Sequence, residues 1–242
     1  MKIAVVNPNT TAAMTAAIGD CARRVAAPGT EIVATNPAGG PESIEGWFDE
    51  AQAVPGLLAE IAEAERRGCD GYVIACFGDP GLYAARELVR GPVVGIAEAA
   101  MHAASLIAPS FAVVTTLART RGMAWQLAER YGMRNFCRSV RASDLAVLEL
   151  TEPGSRARRL IIDECRQALA FDGAEAIVLG CAGMAELCAD IAAAIEAPVI
   201  DGVTAAVKFV EALVMLGLTT AKRGEFAAPL SKTYAAAEIA SN

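Results

Sequence analysis

Asp70-Gly71-Tyr72-Val73-Ile74-Ala75-Cys76 and Glu175-Ala176-Ile177-Val178-Leu179-Gly180-Cys181 are one kind of segment written twice. Each runs from an acidic residue through an uninterrupted apolar stretch to a cysteine, and the cysteines lie 181 − 76 = 105 positions apart. A continuous apolar run, rather than an alternating one, marks a strand covered on both faces, as in a parallel sheet. The repeat extends outward in both directions. Lys2-Ile3-Ala4-Val5-Val6-Asn7 matches Ser110-Phe111-Ala112-Val113-Val114-Thr115, and Pro92-Val93-Val94-Gly95-Ile96 matches Pro198-Val199-Ile200-Asp201-Gly202, in the same order. Three strands recurring at a nearly constant offset predict two similar half-domains in one chain.

A further strand is expected at 31–34, and helical patterns fill 57–67, 121–131, 155–171 and 205–216. The alternation predicts an α/β fold built as two pseudo-symmetric parallel-sheet lobes, with a cleft between them. No low-complexity linker separates the halves. Residues 97–108 read as a helix crossing between them, and the apolar helix after Val203 has no repeat counterpart behind it and packs back on the first half. The expected lobes are therefore 1–98 plus 206–242, and 99–205.

Composition narrows the function. The 242 residues are 54% hydrophobic and 20% charged, which excludes a disordered chain or a coiled-coil rod. A net charge of −7 without a Lys/Arg cluster argues against a nucleic-acid partner. The longest apolar stretch, 203–218, is broken by Lys208 and Glu211, so no membrane span is expected. The apolar N-terminus ends at Val6, before Asn7-Pro8-Asn9, and reads as a buried strand rather than a signal peptide. Seven cysteines without a CxxC pair fit free thiols in a reducing cytoplasm. One histidine, no paired carboxylates at ligand spacing, no GxGxxG and no P-loop predict a protein without metal or nucleotide cofactor.

The chemistry is expected at the two cysteines. Ligands of open parallel sheets bind beyond the carboxyl ends of the strands, where both Cys76 and Cys181 fall. Asp79 and Pro80 read as the cap and first position of a helix after Cys76, and a helix N-terminus lowers a thiol's pKa. A single cysteine at a strand end is more readily a packed structural residue. Symmetric placement in a repeat favours instead two thiols on opposite sides of one bound molecule. That arrangement suits stereoinversion, in which a thiolate removes a proton from carbon and an opposing thiol delivers one to the other face. Cys21, Cys69, Cys137, Cys165 and Cys188 are expected to be packing residues on helices or connections, and His102 to lie away from the chemistry.

Taken together, Val5-Val6-Asn7-Pro8-Asn9-Thr10, residues 40–46, Ala75-Cys76-Phe77-Gly78-Asp79-Pro80-Gly81, residues 112–116 and Leu179-Gly180-Cys181-Ala182-Gly183-Met184 resemble the hydantoin/allantoin racemases of the aspartate/glutamate racemase superfamily over essentially the whole chain. The resemblance implies a cofactor-independent isomerase whose two catalytic cysteines map onto Cys76 and Cys181. Amino-acid racemases of that superfamily follow their cysteines with Asn-Thr and Thr, where this chain has Phe77-Gly78 and Ala182-Gly183. So apolar a site suits a neutral planar ring, a cyclic ureide, better than a zwitterion. The expected reaction is the interconversion of D- and L-5-substituted hydantoins at C5, with allantoin as the alternative substrate. A maleate-type cis–trans isomerase and a non-catalytic bilobal binding protein are more distant readings. A homo-oligomer is expected.

Substrate contacts are expected from Asn7 and Asn9, which offer a donor and an acceptor each, with turn chemistry as the competing explanation. Thr115 and Thr116 offer hydroxyls, against β-branched strand propensity. Ser43 and Ile44 sit on a loop able to cap the site. Phe77, Gly78, Gly180, Ala182 and Gly183 flank the cysteines, with backbone N–H groups for an enolate. Asp79 reads first as a cap and second as a group orienting a water or thiol.

Overall fold

Strand β1 (Lys2–Val6) turns Ile3 and Val5 to one face of its sheet and Ala4 and Val6 to the other, and protein covers both faces. The computed structural model describes residues 1–151 and 156–233. Its first half runs β1, α1 (Ala12–Val25), β2 (Glu31–Thr35), α2 (Trp47–Arg66), β3 (Gly71–Ile74), α3 (Leu82–Leu88), β4 (Val93–Gly95) and α4 (Ile96–Ile107). The second half repeats the series as β5 (Phe111–Thr115), α5 (Arg121–Arg130), β6 (Cys137–Ala142), α6 (Ala157–Phe171), β7 (Ala176–Leu179), α7 (Cys188–Ile195), β8 (Val199–Ile200) and α8 (Gly202–Met215). Both sheets are parallel throughout, with strand orders β2-β1-β3-β4 and β6-β5-β7-β8. The repeat in the sequence is thus a repeat of topology.

The final helix of each half crosses over. Helix α4 packs on β7 and β8 of the second sheet, α8 packs on β3 and β4 of the first, and the two helices pack on each other. One continuous core therefore joins Ile3, Val5 and Val73 of the first sheet to Val113 and Val178 of the second through Ala100, Met101, Val207 and Val210. Separate cores fill the outer faces, under α2 and α3 on one side and under α6 and α7 on the other. Among the described residues no helix is long and apolar enough to cross a membrane, and no group of three His, Cys, Asp or Glu side chains is placed to hold a metal ion.

Three local expectations need correction. Cys137 lies neither on a helix nor in a connection but opens β6, a strand that carries no apolar run: Cys137-Arg138-Ser139-Val140-Arg141-Ala142 is an edge strand with Arg138 in solvent. Its Arg141 is held by Asp172 and Glu164. Helix α2 begins at Trp47, ten residues before the expected 57, because Pro55 sits inside it and masks the first turns. Asp79 and Pro80 do not start α3; that helix begins at Leu82, behind Gly81 at φ 63°. Of the segments expected from the pattern, the start of the 155–171 helix and residues 234–242 lie outside the described residues; Asp201 caps α8, accepting from the N–H groups of Val203 and Thr204.

Candidate active site

The carboxyl edges of the two sheets face one small cavity of about 50 Å³, room for a few waters. Asn9 reaches it from beyond β1, Ile44 from beyond β2, Ala75, Cys76, Phe77 and Gly78 from beyond β3, Thr115 and Thr116 from β5, and Gly180, Cys181 and Ala182 from beyond β7. The fold thus brings both cysteines to one wall-lined space. Four other expected residues, Asn7, Ser43, Asp79 and Gly183, stand off that wall. Met14, Thr120, Met123, Ala124 and Val147 complete it. They are ordinary helix and loop residues bearing no chemical mark; Val147 follows β6, the strand without an apolar signature.

Both cysteines are half-buried and open only onto the cavity wall, and the protein packed around their sulfurs dominates their ionisation. The Cys181 thiol is pushed up to about 11, mainly by burial, with Glu45 adding to the rise and the N–H groups of Gly183 and Met184 opposing it. Burial pushes Cys76 higher still. The Gly78 N–H opposes the rise, while the charges of Cys181, Glu50 and Asp79 reinforce it. This reverses the expected lowering, for a structural reason. Five residues separate Cys76 from the start of α3, so only one amide rather than a helix terminus supports its thiolate. The backbone donors expected for an enolate are directed at the sulfurs. Gly183, for its part, makes room for Leu150, whose Cδ1 would lie 3.1 Å from a Cβ there.

The polar groups sort into those that face the cavity and those that hold them. Asn7 is 1% exposed; its Nδ2 donates to Asn9 Oδ1 at 2.8 Å and to Thr15 Oγ1 at 3.0 Å. Asn9 Oδ1 also accepts from the Thr11 N–H, and its Nδ2 donates to Met14 Sδ at 3.3 Å, both residues lining the cavity. The hydroxyls of Thr115 and Thr120 pair with each other at 2.9 Å.

Two ties cross from one half to the other. Glu45 Oε1 accepts from the Val147 N–H at 2.8 Å, drawing the 39–46 loop over the cavity with Ile44 beneath it. Asp79, at φ 45° and 2% exposed, turns its carboxylate away from its own helix and caps α4, accepting from the N–H groups of Ala97 and Glu98 at 3.0 and 2.8 Å. Tyr131, at the end of α5, donates a third bond to it. Burial pushes Asp79 up to about 7 against these three donors.

A profile of the Asp/Glu/Hydantoin racemase family matches residues 3–210. The sequence is 51% identical over 239 residues to a hydantoin racemase of Rhizobium meliloti, covering 99% of each chain. The fold matches that of an allantoin racemase from Klebsiella pneumoniae with a TM-score of 0.96 and 52% identity, over 98% of this chain and 96% of the other. It matches an allantoin racemase from Pseudomonas fluorescens with a TM-score of 0.94 and 42% identity, over 98% and 100%.

Proposed function

Since this chain belongs to the Asp/Glu/hydantoin racemase family, we propose that it racemises 5-substituted hydantoins by proton transfer between C5 and two cysteines, Cys76 and Cys181. The chain is a racemase, an isomerase. The observation that carries the mechanistic reading is the convergence of the two repeat-related cysteines on one cavity. Each half supplies one sulfur, and a ring held between the halves presents one face to each.

In this reading one cysteine, as thiolate, takes the C5 proton and becomes a thiol. The electron pair delocalises into the adjacent carbonyl as an enolate. The other cysteine then gives its proton to the opposite face of C5 and is left as thiolate. Protons balance without a cofactor, and the reverse direction exchanges the roles. Acid–base steps of this kind contribute about 10² to 10⁴-fold each. Asn9 and the Thr116 hydroxyl are the polar groups offered to the ring, with Asn7 behind Asn9 and Asp79 behind Cys76 as supports.

No charged side chain lines the cavity among the described residues, which favours a neutral ureide over the dicarboxylate of a maleate-type isomerase. Allantoin, itself a 5-substituted hydantoin, is the second reading, favoured by the two allantoin racemase structures. The lobe division 1–98 plus 206–242 and 99–205 is supported by the crossing of α8 onto the first sheet. A cytoplasmic homo-oligomer completes the reading, supported by seven free cysteines and by exposed Leu106, Ile107, Met215 and Leu216 at the ends of α4 and α8.

The test is polarimetry and solvent deuterium incorporation with single enantiomers of benzyl-, isopropyl- and ureido-substituted hydantoins. Loss of rotation with one deuterium at C5 is expected. Binding without exchange would leave a ligand-binding protein in its place.

A further inference from the structure

Among the described residues, one buried side-chain oxygen has no hydrogen-bond partner: Oε2 of Glu50, in the first turn of α2. Its neighbour Asp49 is engaged by the Glu45 N–H. A Cβ on Gly78 would lie 3.3 Å from Glu50 Oε2 and 3.7 Å from Met123 Cε on the cavity wall. The carboxyl therefore stands against the turn that carries Cys76, beside the peptide whose N–H supports the Cys76 sulfur. An orphaned buried polar atom in a native structure calls for an explanation.

The charged surroundings of the two sulfurs are unequal. Cys76 faces Glu50 from α2, Asp79 on its own turn and Cys181 across the cavity. Cys181 faces Glu45, whose Oε1 is already held by the Val147 N–H. Cys181 is supported by two backbone N–H groups and Cys76 by one. Burial pushes the Glu50 carboxyl up from its ordinary value, and Arg130, from α5, opposes the rise and favours the charged form. A second anion beside an existing one is disfavoured.

We propose that Glu50 is a positioning residue that divides the labour between the thiols: its unpartnered carboxylate beside the Cys76 turn disfavours a second anion there, so that Cys181 is the thiol that ionises first and acts as the readier base, with Cys76 as the readier proton donor. The inference rests on the two-cysteine reading above. The enantiomer whose C5–H faces Cys181 then meets the more easily ionised of the two thiols. After turnover Cys181 is a thiol and Cys76 a thiolate; Cys76 takes a proton back from water, and Cys181 must lose one to water before it serves the same enantiomer again.

The experiment is iodoacetamide alkylation of the full chain across pH 6–10, with modified peptides resolved by mass. Cys76 is followed in Cys181→Ser and Cys181 in Cys76→Ser, each with and without Glu50→Gln. Cys181 is expected to alkylate faster than Cys76 at every pH. Glu50→Gln is expected to raise the Cys76 rate at pH 8 by about threefold or more, a shift of about half a pH unit, with a smaller change at Cys181. Glu50→Asp, which withdraws the carboxyl by one methylene, is expected to fall between, and serves if the glutamine variant fails to fold. Faster alkylation of Cys76 than Cys181, or equal acceleration of both thiols, or no acceleration in either variant, overturns the proposal. Alkylation needs no substrate, so failure to racemise hydantoins would overturn the functional reading and leave this measurement standing.

Discussion

The Tyr131 hydroxyl donates a 2.7 Å hydrogen bond to Asp79 Oδ2, joining the end of α5 in the second half to the turn that carries Cys76 in the first. The carboxylate it meets is buried and pushed up to about 7, against an ordinary 3.8. Between those values the folded chain holds a proton that the unfolded chain has released. The stabilisation contributed by protonated Asp79 is full below about 4 and fades as pH rises through about 7. Urea unfolding should therefore show a smaller loss of stability between pH 5 and pH 8 in Asp79→Asn than in the parent. Tyr131→Phe should cost about 1–3 kcal/mol at pH 8, where the bond is made to a charged group.

Gly95 is the residue that lets Asp79 reach α4. A Cβ there would lie 2.2 Å from Asp79 Cγ, a separation no packing tolerates. Gly95→Ala should displace the carboxylate from the α4 N-terminus and destabilise the fold by roughly 1–3 kcal/mol or more. Thermal unfolding together with activity at fixed substrate reads both effects, and an unchanged melting temperature would contradict the geometry.

Cys76→Ser and Cys181→Ser should each abolish racemisation. Each should still wash solvent deuterium into the enantiomer whose proton faces the surviving cysteine, because one base can open and reclose its own face. NMR of the recovered substrate separates the two events. Full racemisation by either variant would end the two-base mechanism.

The active form of the base is the thiolate, and burial pushes Cys181 up to about 11 and Cys76 further. Below that range the thiolate fraction grows tenfold per pH unit. kcat/KM should accordingly climb between pH 7 and pH 9. A profile flat or falling over that interval would refute a thiol base in this environment.

Asn9 and Asn7 should separate by phenotype. Asn9→Ala removes a polar group from the cavity wall and should lower kcat/KM beyond its cost in stability, about 1–3 kcal/mol for unpairing buried Asn7 Nδ2 and the Thr11 N–H. Asn7→Ala strips a partner from buried Asn9 and Thr15 and should cost about 1–3 kcal/mol as well. Urea midpoints beside kinetics distinguish a contact from its support.

The strands were legible because a buried parallel strand is apolar on both faces. Phe111–Thr115 and Ala176–Leu179 lie where the pattern puts them, whereas β6, an edge strand stabilised by Arg141 pairing, carries no such mark. Asn9, Thr116 and both cysteines were legible as residues beyond strand ends. Met14, Met123 and Val147 were not, since wall residues are chosen by shape and share their type with the core.

By itself the sequence determined the duplicated α/β topology and the recurrence of a cysteine after the third strand of each half, because periodic burial is written locally in residue type. The tertiary structure alone decided that Glu45 ties its loop to the Val147 N–H across the cavity, that Asp79 caps a helix not its own, and that burial outweighs the backbone N–H groups at both thiols. Those outcomes depend on how far apart groups stand in space and how much water surrounds them, and neither quantity is encoded at any single position of the chain.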